Sequence, residues 1–245
     1  IDTYSSKSHY DIWSEINWEP STEQKQQFII LQALIENWNK KLNLTRLIKD
    51  DDYWISQVLD SLWPLKNELH NPKRFLQCID VGTGCGFPGL AIAIALPNAK
   101  VTLVDSVSKK IEVIKEITKE LGIESRVTCR NERIESTGQD PSFRSKYDLA
   151  MARAVSPAPT VAEYLIPLLA PTGEGLIYKG QLKEEEQKKL EKALILLLAK
   201  TNKIQSYELP GEKGIRNIIR IQGEKMCPNK YPRSIGKPLK YPLGS

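Results

Sequence analysis

The 245-residue chain has two histidines, His9 and His70, and four cysteines that form no C-x-x-C pair. Neither histidine has a partner at metal-ligand spacing, so no zinc or other metal site is expected. The longest strongly apolar runs, Gly89 to Leu96 and Ala193 to Ala199, fall far short of the ~20 residues that cross a bilayer. No membrane span is expected, and no low-complexity tract argues for disorder. No succession of basic, apolar and small residues opens the chain, so no secretory signal is expected; the first residue is not Met, which leaves an upstream segment open. Cys78, Cys85, Cys129 and Cys227 are widely spaced, the usage of reduced, mostly buried thiols in the cytoplasm. No Ser-His-Asp or Cys-His constellation is present, which leaves no candidate for triad-type nucleophilic catalysis.

What the chain does have is Asp80-Val-Gly-Thr-Gly-Cys-Gly-Phe-Pro-Gly89, set between an apolar run from Phe75 and a second strand pattern, Val101-Thr-Leu-Val-Asp105. Gly82, Gly84 and Gly86 allow a tight turn and close approach of backbone to a ligand. A loop of this kind leading into a helix offers amide donors, and Asp105, at the end of the next strand, can accept both hydroxyls of a ribose. The same residues satisfy the dinucleotide spacing G-x-G-x-x-G, and a purely structural turn is the third reading. Asp80 favours a methyl-donor site, because its carboxylate would repel a pyrophosphate and attract the ammonium and sulfonium of S-adenosylmethionine.

Hydrophobic content of 40% and charged content of 27% are values of a globular protein with room for one α/β domain and a smaller attachment. Residues 1–72 read as a helical extension. Ser21 or Thr22 can cap a helix with Phe28, Leu31, Ile35, Trp38 and Leu42 on one stripe. Asp50 to Asp52 can cap a second, carrying Trp54, Ile55, Val58, Leu59 and Leu62 and stopped near Pro64. Both stripes are expected to pack on the main sheet. Residues 73–223 read as the ligand-binding domain, with strands near 75–81, 100–105, 126–130, 147–153, 174–180, 203–208 and 216–222, and helices near 87–96, 107–121, 157–170 and 183–200. Alternation of this kind predicts a parallel sheet covered on both faces. The loop Glu208 to Gly214 is too short for a parallel crossover, so the last two strands should form an antiparallel hairpin.

Residues 224–245 form a tail with a distinct charge. From Glu212 to Ser245, eight Lys or Arg stand against two Glu, a local +6 in a chain whose net charge is +5. With Tyr231, Tyr241 and four prolines interleaved, this stretch predicts a phosphate-binding strap with stacking groups; a merely solubilising tail is the alternative. Arg216, Arg220, Lys230, Arg233, Lys237 and Lys240 are the candidate phosphate contacts.

Several segments together resemble the RsmG (GidB) family of bacterial small-subunit ribosomal RNA methyltransferases. They are Trp38-Asn-Lys-Lys-Leu-Asn-Leu-Thr45, Leu59-Asp-Ser-Leu62, the glycine motif, Leu103-Val-Asp-Ser106, Ala152-Arg-Ala154, Lys179-Gly-Gln181, Lys230-Tyr-Pro-Arg233, Gly236-Lys-Pro238 and Pro242-Leu243. The chain departs from the family's usual pattern at Cys85, where members often carry Pro, and at Gln57, where they often carry His. The resemblance implies a Rossmann-like class I fold, a mostly parallel seven-stranded sheet, S-adenosylmethionine as cofactor, and 16S rRNA or the small ribosomal subunit as partner. It implies transfer of a methyl group to N7 of a guanine, guanine 527 of 16S rRNA, by a cytoplasmic protein that we expect to be a monomer.

By the same resemblance, Asp80, Gly82, Gly84, Gly86, Phe87, Asp105, Ile134 and Glu135 hold the cofactor. Arg153 ends the fourth strand against both cofactor and reaction centre, with Lys179 as its catalytic companion. Guanine N7 carries an in-plane lone pair and no proton, so no general base is required. That agrees with Asp148-Leu-Ala-Met-Ala-Arg153 standing where exocyclic-amine methyltransferases carry an Asn-Pro-Pro-Tyr type motif. Cys227-Pro228 likewise inverts the Pro-Cys order of cytosine C5 methyltransferases. The competing readings are a methyltransferase of the same fold acting on a protein or small molecule, a non-catalytic nucleotide-binding module on RNA, and, more remotely, a dinucleotide oxidoreductase.

Overall fold

The computed structural model describes residues 8–71 and 74–245; the boundary expected between residues 72 and 73 lies outside them. Seven strands, β1 (Gln77–Val81), β2 (Lys100–Asp105), β3 (Val127–Asn131), β4 (Tyr147–Arg153), β5 (Leu169–Lys179), β6 (Ala199–Leu209) and β7 (Gly214–Gly223), form one sheet in the order β3-β2-β1-β4-β5-β7-β6. The first five run parallel and β7 is antiparallel to both its neighbours, the predicted class I arrangement. The order reverses between β1 and β4, so the crevice beyond the carboxyl ends of those two strands is where a ligand would bind.

The helices expected over 157–170 and 183–200 both end early, each for a local reason. The helix expected over 157–170 ends at Leu165 and a 3-10 turn, Ile166–Leu168, follows; Pro167 has no N–H to continue the ladder, and β5 starts at Leu169. The helix expected to reach residue 200 ends at Leu196, because the chain reverses at Leu198 in a left-handed conformation, φ 56°, and pairs as β6 from Ala199. Short helical turns at Ile12–Glu15, Ile134–Gln139 and Lys237–Lys240 were not legible as periodic patterns.

One face of the sheet carries the N-terminal helices together with helices Gly89–Ala95 and Ser108–Glu120; the other carries Ala158–Leu165, Glu184–Leu196 and the tail. Helix Thr22–Leu42 begins with a capping box between Ser21 and Gln24. The Gln24 amide then donates to the carbonyls of Ile94 and Ala95, at 3.0 and 3.1 Å, which would otherwise be orphaned at a helix end. Phe28, Leu31 and Ile35 are buried as their spacing predicts. The Asp50 to Asp52 triplet does not supply the second cap: Lys49 is the N-cap residue, and the three carboxylates occupy the first turn, where the helix dipole favours them. Nor does Pro64 end this helical run. It opens a 3-10 turn, Trp63–Leu65, where a missing N–H costs little, and the run continues to Leu69. Trp54–Leu59 is wound as a π-helix, a widening that recurs at functional sites.

Alternation along β7 ties this run to the sheet. Arg216 faces Asp60 at 3.7 Å, Ile218 enters the core beneath the N-terminal helices, and Arg220 pairs with Glu174 at 2.6 Å and Glu68 at 3.7 Å while also donating to the Pro64 carbonyl. Ile219 and Ile221, between and beyond them, face the opposite core.

The tail is folded down rather than extended. The Arg144 guanidinium donates to the carbonyls of Cys227, Pro228 and Tyr231, and the Gln139 amide donates to those of Asn229 and Pro232. Arg233 makes paired bonds to Glu163, 2.9 Å from Nε to Oε1 and 2.6 Å from an Nη to Oε2. Glu163 has 0% exposure, so this ion pair fastens the tail to a helix on the far face. Removing one partner of a buried pair strands the other charge. Arg233→Ala is therefore expected to destabilise the protein by about 3 kcal/mol, read as a fall of roughly 6–12 °C in Tm by calorimetry, with Glu163→Gln in the same chain recovering part of the loss.

Candidate active site

The glycine loop is fixed from below by one carboxylate. Oδ2 of Asp80, on β1, accepts hydrogen bonds from the Thr83 hydroxyl at 2.7 Å and the Gly89 N–H at 2.9 Å. Loop and helix start are thereby held to the strand. Gly82, Gly84 and Gly86 all take positive φ, 68°, 60° and 101°, conformations that side-chain-bearing residues rarely adopt. At Gly82 a Cβ would also stand 2.7 Å from Val155, the residue that closes the crevice from the β4 side. Asp80 is fully buried. Its second oxygen, Oδ1, has no hydrogen-bond donor among the described residues, and burial pushes its carboxyl up to about 6 against the pull of Thr83, Gly89 and Arg153.

Asp105 ends β2 beside the loop, its Oδ2 accepting from Gly84 N–H and its Oδ1 from Val107 N–H, both at 2.9 Å. Each oxygen keeps a lone pair for a further donor. A cavity of about 160 Å³ opens here, lined by Asp105, Ser106, Ile134, Glu135, Val155 and, from the tail, Leu239. Glu135 is buried and accepts from the Gly236 N–H of the tail at 2.9 Å.

On the other side of Gly82 and Val155 lies a larger cavity of about 530 Å³ that those two residues also line. Its floor is Arg153, which ends β4. The guanidinium donates to the Ser56 carbonyl and to Asp60 Oδ2, both at 3.1 Å, and also to Gln57 Oε1, and it sits 5.8 Å from the centre of the Phe87 ring. Burial raises the Asp60 carboxyl while Arg153 and Arg216 draw it down. Lys179 lines the same cavity from the end of β5, its Nζ 2.8 Å from Glu186. Tyr178, Thr45 and Cys85 complete the wall.

Of the residues singled out in the sequence, Gly82, Gly84, Phe87, Arg153, Lys179 and Arg216 meet at the larger cavity, and Gly82, Asp105, Ile134 and Glu135 at the smaller. Asp80, beneath the loop, and Gly86, within it, line neither cavity. The six basic candidates separate. Lys230, Lys237 and Lys240 are exposed, whereas Arg220 is 8% exposed and Arg233 holds Glu163. Both guanidinium groups already have carboxylate partners, Glu174 and Glu68 for Arg220 and the buried Glu163 for Arg233. Cys227 lies under Arg144 and away from both cavities, its thiol pushed up to about 11 by burial. Gln57, Asp60 and Leu239 were missed as cavity residues. For Gln57 and Asp60 the Leu59-Asp-Ser-Leu62 segment was a usable signal; for Leu239 there was none.

The sequence pattern of the GidB family, rRNA small subunit methyltransferase G, matches residues 24–218. The ribosomal RNA small subunit methyltransferase G of Prochlorococcus marinus (strain NATL2A) is 54% identical over 237 residues, 97% of this chain and 96% of that protein. That of Synechococcus sp. (strain WH7803) is 52% identical over 234 residues, covering 96% of this chain and 92% of its own length. Among solved structures, the O-methyltransferase from Bacillus cereus in complex with SAH aligns with a TM-score of 0.58 at 12% identity, over 85% of this chain and 94% of that one. At that identity the likeness is one of fold.

A carboxyl raised above its ordinary value disfavours the folded state when ionised. The penalty at Asp80 is full above about pH 6 and fades as pH falls toward the ordinary carboxylate range. Asp80→Asn is accordingly expected to raise stability by roughly 1–3 kcal/mol at pH 8 in urea denaturation, with the gain shrinking between about pH 6 and pH 4. A gain independent of pH would show that the charge is not its source.

Proposed function

This chain belongs to the GidB family of small-subunit ribosomal RNA methyltransferases, and from that premise we propose that it methylates N7 of a guanine in 16S rRNA, by resemblance guanine 527, with S-adenosylmethionine as the methyl donor. The observation that carries the reading is the pair of cavities meeting at Gly82 and Val155, one ending at a ribose-type carboxylate and the other floored by cationic side chains. The smaller fits a nucleoside, with Asp105 for the hydroxyls and Ile134 beside the base. The buried, unsatisfied Oδ1 of Asp80 fits a ligand that brings positive charge to the loop. When bound, S-adenosylmethionine supplies a methyl group on a positively charged sulfur.

The larger cavity suits a base that needs positioning and no deprotonation. Asp60, the one carboxylate among the described residues of its wall, lies between Arg153 and Arg216, and none of those residues is a histidine. Guanine presents O6 and N7 as acceptors on one edge. Arg153, Arg216 and Lys179 can hold O6 and leave N7 directed at the donor, and alignment alone can contribute about 7–11 kcal/mol of the barrier. Arg153 is itself fixed by Gln57, Ser56 and Asp60, so its direction does not depend on substrate. Lys230, Lys237 and Lys240, exposed on the tail, supply phosphate contacts that set the register. The protein acts in the cytoplasm, where ribosomal subunits are assembled.

Incubation of the purified protein with labelled S-adenosylmethionine and small subunits lacking the modification, followed by mapping, is expected to place the label on N7 of one guanine; label on a base amine or on protein would overturn the reading. Arg153→Ala should lower methyl transfer by about 100-fold or more, with donor affinity changing far less. Replacing Lys230, Lys237 and Lys240 together by Ala should weaken RNA binding and flatten its dependence on log salt by about 0.7–0.9 for each phosphate that is no longer neutralised.

A further inference from the structure

The tail passes the smaller cavity at Leu239, and the manner in which it is held there has a use. Leu239 is 56% exposed and lines that cavity. It sits on a single helical turn, Lys237–Lys240, whose flanks are pinned. The Gly236 N–H donates to Glu135 at 2.9 Å, the Thr160 hydroxyl to the Pro238 carbonyl at 3.2 Å, and an Arg233 Nη to the Tyr241 carbonyl at 2.7 Å. Pro238 is buried, and Arg233 is itself locked to Glu163. An apolar side chain left more than half in water while the backbone on both sides is fastened lacks a partner that the fold provides. The cavity before it has apolar walls in Ile134 and Val155, and Asp105 lines it together with the charged side chains of Glu132, Arg133 and Glu135. That combination matches a flat heterocycle carrying a ribose.

We infer that Leu239 is a binding residue for the methyl donor: the C-terminal tail forms the outer wall of the nucleoside pocket, with Leu239 packed on the purine of the bound donor. The tail then does two things with one short turn. Its apolar side meets the donor, and Lys237 and Lys240 on either side of Leu239 remain in solvent. Glu135 takes its place in this arrangement as the acceptor that anchors the tail, through Gly236, at the base of the wall. The inference rests on the proposal that the smaller cavity takes the donor's nucleoside.

Titration calorimetry of the full chain with S-adenosylhomocysteine separates the two statements. Wild type should bind, and Leu239→Ala should raise Kd about five- to tenfold, the loss of part of one buried isobutyl group, with Tm unchanged because the side chain is exposed in the free protein. Leu239→Met should restore most of the affinity. Ile235→Ala, which shortens a side chain 59% exposed on the same tail that lines neither cavity, should leave Kd at the wild-type value. A second readout is amide hydrogen exchange over residues 234–241, expected to slow when S-adenosylhomocysteine is added. Binding by wild type with equal Kd in Leu239→Ala would overturn the inference and leave the donor reading standing. Failure of wild type to bind would overturn both.

Discussion

Oδ2 of Asp80 receives the Thr83 hydroxyl and the Gly89 N–H, and the placement of both cavities depends on that oxygen. The loop between those donors has almost no side chains with which to hold itself, and its glycines would otherwise sample many conformations. A buried acceptor fixes it at two points and closes the step from β1 into the helix. Asp105 then takes the Gly84 N–H from the outer side, so the loop is bracketed by two carboxylates, one under it and one beside it. The loop that separates the cavities is defined by negative charge on both flanks, which suits a ligand with positive charge near its centre and ill suits a pyrophosphate.

The parts of this arrangement that were legible in the sequence are those set by local chemistry. Three glycines at alternate positions, an Asp at the end of each of the first two strands, and a link between the last two strands too short for a crossover each have few physical solutions, and the fold adopts them. What was not legible depended on distant partners. Arg220 and Arg233 look in the sequence like Lys230 and Lys240, members of one basic stretch, because a guanidinium carries no mark of the carboxylate that will neutralise it. Glu163 lies 70 residues from Arg233 in the chain, in a helix that reads as apolar. Sign of charge was read correctly; its availability could only come from packing. The same holds for Leu239, whose position over the smaller cavity is set by three hydrogen bonds in which its own side chain takes no part.

The two positions at which the chain departs from the usual pattern of the family it resembles, Gln57 and Cys85, turn out to be neighbours, with Gln57 Nε2 3.8 Å from Cys85 Sγ. Gln57 also donates to Thr45 at 3.2 Å and accepts from Arg153. Its amide thus offers both a donor face and an acceptor face within one side chain, oriented by the π-helical widening of Trp54–Leu59. A change at either site alters the surroundings of the other, so they are one local solution to the problem of holding Arg153.

β7 lies between β5 and β6 and pairs with both in one register. The alternation of Arg216, Ile218 and Arg220 against Ile219 and Ile221 discriminates among the possible registers. A slip by one residue would turn both guanidinium groups into the layer of Leu165, Leu190 and Leu194 and take Arg220 away from Glu174 and Glu68. The two arginines thus specify the register of β7 as well as making the ion pairs that hold it.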